Sequence, residues 1–181
     1  MPGAFIDATV RELRSLKRAA ERAMAQVADE HFFASLDAET NSIAVLVKHM
    51  SGNMRARWTD FLTTDGEKPW RDRDSEFRID PGDTRAALAE RWEQGWQILL
   101  GTLESLGPAD LERTVTIRAE PYTVVGATQR TLAHYSDHIG QIILLAKHYA
   151  GANWKTLSIP RGKSQQHNAD FVAKQLEKQK K

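Results

Sequence analysis

Four stretches of roughly twenty residues carry apolar side chains at intervals of three and four, with charged residues between them. A chain patterned this way hides its apolar stripes by laying helices against one another, so the pattern predicts an all-α fold built as a helical bundle. The first helix is expected over residues 5–28, with Ile6, Val10, Leu13, Leu16, Ala20, Ala23, Met24 and Val27 on its buried face. The second follows a cap at Thr40 or Asn41. It runs through Ile43, Leu46, Val47, Met50, Met54, Trp58, Phe61 and Leu62 to a stop near Thr64, ahead of Asp65-Gly66. The third begins around residues 80–83, buries Leu88, Trp92, Trp96, Leu99, Leu100 and Leu103, and ends at Gly107-Pro108. The fourth covers residues 127–150, with Leu132, Tyr135, Ile139, Ile142, Leu145, Ala146 and Tyr149 inward and Gly151 just past its end.

Between these helices the pattern changes twice. Residues 65–80 hold four cations, six anions, Pro69 and Trp70 without either period, which predicts a long loop. It reads equally as a solvated connector or as a lid anchored by Trp70 and Phe77. The β-branched runs 114–118 and 122–125 predict two short strands or an extended turn before the fourth helix, too little for a sheet. Residues 1–155 are expected to form one domain. Residues 156–181 read as a basic, solvated tail, with Leu157, Ile159 and Phe171 as the residues able to tie parts of it down.

Charge and composition exclude several function classes. Twenty-five Lys and Arg against 24 Asp and Glu leave a net charge of +1, which gives no electrostatic case for a nucleic-acid partner. There is no cysteine, so disulfides, thiolate ligands and a cysteine nucleophile are absent, and any metal must sit on nitrogen or oxygen. The longest apolar runs are five residues, and the first residues lack a basic segment followed by an apolar one. A soluble, cytoplasmic protein without a membrane partner is the expectation.

Of the six histidines, three are placed to cooperate. His134 and His138 stand four apart in the fourth helix, on one face and about 6 Å apart along its axis, a spacing that lets two imidazoles converge on one cation. His49 adds a third ring from the apolar side of the second helix, beside Val45, Leu46 and Met50. Three such rings make either a divalent metal site or a set of packed polar contacts, and the residues alone leave both open. His148 lies about 21 Å further along the helix and cannot share the ion; His31 and His167 read as surface residues. Tyr135 stands where the zinc-peptidase motif needs its glutamate, and no nucleophile elbow or phosphate loop is present. Around the triad, Asp137 is the candidate base and a candidate partner for His134. Asn53 and Gln141 are candidate hydrogen-bonding neighbours, and Arg57 is a candidate anchor for an anionic substrate.

The segment His134-x-x-x-His138-Ile139-Gly140-Gln141-Ile142, with His49, Asn53-Met54-Arg55-Ala56-Arg57 and residues 65–74, resembles the DinB/YfiT-like superfamily over about residues 5–155, and is most similar to a functionally uncharacterised branch of it. The resemblance implies an up-down-down-up four-helix bundle, often a homodimer, with a divalent metal such as zinc, nickel or iron on His49, His134 and His138. Relatives include thiol-dependent isomerases and S-transferases as well as proteins labelled metal-dependent hydrolases. The expected function is therefore metal-dependent transfer of a low-molecular-weight thiol onto a small-molecule electrophile. Metal-dependent hydrolysis is the alternative within enzymes, and a non-enzymatic metal-binding or interaction module is the alternative outside them.

Overall fold

Helices form where the stripes predict them, and the computed structural model describes residues 2–179. The long helices are α1 (Pro2–Met24), α3 (Ile43–Trp58), α4 (Arg85–Ser105) and α5 (Val124–Ala150), with a short α2 (Asp29–Phe33) and a C-terminal α6 (Ser164–Gln179). Strands β1 (Thr114–Ile117) and β2 (Glu120–Thr123) pair antiparallel in one hairpin. The fold is thus mostly helical with a small two-stranded sheet. Helix α3 packs on both α4 and α5, and α1 packs on both of them from the other side. Leu13, Leu46, Met50, Met54, Leu88, Trp96, Leu99, Tyr135 and Ile139 are fully enclosed where these helices meet. Gly95 lets α4 close onto α3, because a methyl group there would press on Met54 and the backbone of Ser51.

Enclosure of α3 is the feature that positions the site. Fourteen of its sixteen residues are buried, so its polar side chains Lys48, His49, Asn53 and Arg57 are carried inside along with its apolar stripe. Buried polar groups require partners. The segment 65–80 supplies several of them and is not a solvated connector: Lys68 and Glu76 are buried, and a 3-10 turn at Asp74–Phe77 packs on α3. Lys48 Nζ reaches across to Asp83 at 2.6 Å, to Asp80 at 2.8 Å and to the carbonyl of Arg78 at 2.8 Å.

Element ends differ from the sequence expectation for local reasons. Helix α3 stops at Trp58 rather than near Thr64. Thr59 turns its hydroxyl back onto the carbonyl of Arg55 at 2.7 Å, and Asp60 enters the left-handed region with φ of 50°. Phe61 still stacks on Trp58, with ring centroids 4.4 Å apart, from outside the helix. Ser42, not Thr40 or Asn41, caps α3, its hydroxyl accepting from Val45 N at 3.2 Å. Residues 80–83 precede α4, which is capped by Thr84. Val124 and Val125 belong to the first turn of α5 because the Thr123 hydroxyl accepts from Gly126 N at 3.0 Å and starts the helix there. The tail contains helix α6, exposed along with its apolar residues Phe171, Val172 and Leu176. Of the three residues expected to tie the tail down, only Leu157 packs on the core. No described helix is long and apolar enough to cross a membrane.

The hairpin is held by a carboxylate from the long loop. Its two-residue turn places Arg118 and Ala119 at φ of 57° and 61°, a conformation usually given to Asn and Gly. Such residues cost of order 1–3 kcal/mol each unless their surroundings fix them. Asp65 does so: its two carboxylate oxygens accept from Arg118 N at 2.9 Å and Ala119 N at 2.7 Å, and one also accepts from Glu67 N at 2.7 Å. Burial pushes the Asp65 carboxyl up, but the backbone hydrogen bonds from Glu67, Ala119 and Arg118 outweigh it and bring it down to about 2.

A carboxyl lowered on folding stabilises the fold above its unfolded value, near 3.9, and that contribution fades as pH falls toward the folded value. Asp65→Ala should therefore lower unfolding stability at neutral pH by about 1–3 kcal/mol. In paired urea titrations the gap from wild type should narrow between about pH 4 and pH 2. A gap independent of pH would contradict the ionised staple.

Candidate metal centre

His49 is 3% exposed at the middle of α3, and His134 and His138 are half-buried on α5. The two helices meet there, and the Tyr135 hydroxyl donates to Asn53 Oδ1 at 3.0 Å across the join. His49 lies with its ring centroid 5.6 Å from His134 and 5.0 Å from His138, and the α5 pair are 4.6 Å apart. Each ring offers a nitrogen within 4.8 Å of the other two. Two nitrogens bound at about 2.0–2.1 Å to one ion are at most about 4.2 Å apart, so small side-chain adjustments bring all three onto a common centre.

The protonation states suit that use. Burial, then the neighbouring His138 and His49 and the charges of Arg57 and Arg130, bring His134 down to about 3. Burial and His49 lower His138 as well. Both rings are therefore neutral at physiological pH, the form that ligates a metal. Their Nε2 atoms face each other at 2.9 Å, and His138 Nδ1 is buried with no partner among the described residues.

Glu76 fixes the third ring. Its Oε2 accepts from His49 Nδ1 at 2.9 Å, and Arg71 donates to both of its oxygens at 2.8 Å. Burial raises the Glu76 carboxyl, but the hydrogen bonds from His49 and Arg71 outweigh it and hold it below the ordinary carboxylate range. An ionised carboxylate only accepts, so His49 presents a proton on Nδ1 and Nε2 is the nitrogen it can offer to an ion. A carboxylate behind a ligating imidazole is the usual outer support of a metal site. Gly52 makes room for it, since a side chain there would collide with the Glu76 carboxyl.

The other sequence candidates divide. Asn53 is at the helix join beside the triad, bonded to Tyr135 rather than to a histidine. Arg57 is buried two turns beyond His49, with its charge reaching His134. Asp137 is exposed; its charge acts on His138, and it forms no hydrogen bond with His134 among the described residues. Gln141 is exposed and likewise unbonded to the triad. His148 and His167 are exposed away from the site, and His31 stacks on Tyr149 at 4.9 Å. Sequence reasoning missed Glu76, Arg71, Gly52 and the anchoring role of Tyr135. The one available signal was an isolated glycine inside a helical pattern, three residues after His49.

Glu76→Gln should weaken metal binding about 10–100-fold, measured by competition with a chromogenic chelator, with the helical circular dichroism unchanged. Gly52→Ala should produce a loss of the same order by displacing the Glu76 carboxyl. Wild-type affinity in both variants would remove Glu76 from the site.

Comparison with the curated proteins and with the solved structures found no match. A family model described as "Protein of unknown function (DUF1572)" matches residues 2–163, a span that contains His49, Glu76, His134 and His138 and ends before α6. The chain belongs to that family.

Proposed function

We propose that this protein is a metal-dependent enzyme in which His49, His134 and His138 hold one divalent cation, zinc, nickel or iron, and that it transfers a low-molecular-weight thiol onto a small electrophile. The observation that carries the reading is the convergence of three imidazoles, two of them held neutral by burial and the third oriented by a buried carboxylate. The packing of α1 and α3 on both α4 and α5 supports an up-down-down-up bundle of the DinB kind; a cytoplasmic homodimer belongs to the same proposal. When bound, the ion supplies the positive charge that deprotonates a coordinating thiol.

The chain's own residues do the rest. Glu76 and Arg71 hold His49 in one orientation, and Tyr135 with Asn53 sets the separation of α3 and α5. His134 and His138 are only half-buried, so the triad is not sealed from solvent. Transfer is favoured over hydrolysis by the two carboxylates that sequence and structure bring near the triad. Glu76 is consumed by His49 and Arg71, and Asp137 is exposed and bonded to neither histidine of its helix. Hydrolysis calls for a base beside the attacking water. A thiol nucleophile does not need one once it is ionised.

Untagged protein should carry one divalent ion per chain by elemental analysis, and His49→Ala, His134→Ala and His138→Ala should each lose it. The metal-loaded protein should consume thiol in the presence of a chlorinated aromatic acceptor and stay inactive on an esterase and amidase panel. The reverse activity pattern would make it a hydrolase. Protein without stoichiometric metal would make it a non-enzymatic module.

A further inference from the structure

One cation next to the triad, Arg57, forms no ion pair among the described residues. Arg57 is 7% exposed, and its Nη1 is buried without a hydrogen-bond partner among the described residues. Burial pushes this guanidinium below its usual value, and the neighbouring charges of Arg71 and Arg130 add to that. Glu67, the acid whose charge reaches it, is already engaged by Arg118 at 3.0 Å and by Arg71 at 3.7 Å. Arg71 in turn is neutralised by Glu76. Lys68, also buried, adds a further positive charge within reach of Arg57. An uncompensated buried charge is costly, and this one sits among like charges.

The placement of these cations gives the cost a use. Between α3 and α5, His49 meets His134 and His138, Asn53 meets Tyr135, and one step further along the same join the charge of Arg130 acts on Arg57. Both arginine charges reach His134. Gly66 lies against the Arg57 side chain, where any larger residue would press on it. We infer that Arg57 and the exposed Arg130 form a docking pair for a carboxylate on the molecule that reacts over the triad, so the enzyme's ligands include a small carboxylic acid. Arginine suits this because its planar fork matches a carboxylate with two parallel hydrogen bonds. The inference rests on the metal-site reading above, and it adds the chemical class of the ligand and the residues that select it. The carboxylate belongs either to the electrophile or to the thiol.

Two probe pairs separate those sources on the zinc-loaded protein, followed by tryptophan fluorescence and calorimetry: benzoate against benzamide, and 3-mercaptopropionate against 2-mercaptoethanol. In at least one pair, wild type should prefer the carboxylate by about tenfold more than Arg57→Gln does, the size expected of a charge-assisted hydrogen bond. The pair that responds identifies the source. Arg57→Lys should fall between them, since it keeps the charge and loses the fork. Arg130 is on the surface, so Arg130→Gln gives a folded second variant that should lose part of the same preference. Zinc retained, with the preference unchanged by either Gln variant, overturns the carboxylate site alone. Wild type that fails to retain zinc yet keeps the preference overturns the metal reading and leaves the carboxylate site standing.

Discussion

The structure depends on one helix, α3, being buried at every position but Gly52 and Arg55. Because α3 is packed by α4, α5 and the segment 65–80 together, its buried polar side chains Lys48, His49, Asn53 and Arg57 are withdrawn from bulk water and need partners where they lie. Lys48 and His49, adjacent in the chain, reach different parts of the loop: Lys48 takes Asp80 and Asp83, and His49 takes Glu76. The loop is therefore fastened by buried charge together with Phe77, one of the two aromatic anchors expected, whose ring centroid lies 4.9 Å from that of His49. Trp70, the other expected anchor, is half exposed, with the Arg55 guanidinium 4.6 Å from its ring centroid.

The same segment ties the site to the rest of the fold at its other end. Asp65 fixes the hairpin turn, Gly66 N donates to Thr116 O at 2.8 Å, and Gly66 also lies on Arg57. Within a dozen residues the loop thus reaches the hairpin, the buried arginine and the carboxylate behind His49. A change in any one of these contacts moves the backbone that carries the others. Such a segment is ordered by its contacts with α3 and the hairpin, and this accounts for a stretch without helical or strand periodicity holding a defined course.

Much of this was legible in the sequence, for identifiable reasons. The long helices follow from apolar spacing, and His134 with His138 follows from a four-residue interval on one of them, because both are local properties of a helix. His49 could be added because its neighbours Val45, Leu46 and Met50 marked the buried side. Glu76 could not be found this way. It sits 27 residues from His49 in a segment crowded with acids, and only the packing of the 3-10 turn on α3 selects it from its neighbours. The helix ends were displaced by side-chain caps at Ser42, Thr84 and Thr123, which compete locally with the apolar pattern. Helix α6 was hidden by its composition, since it is mostly polar, with Phe171, Val172 and Leu176 as its only large apolar residues.

The central claim is that three imidazoles from two helices share one ion. X-ray absorption spectroscopy of the metal-loaded, untagged protein tests it most directly. The account predicts a first shell containing three imidazole nitrogens at about 2.0–2.1 Å, with the outer-ring scattering that histidine ligands give. A shell of oxygen alone, or one with the same imidazole count after His49→Ala, would contradict it.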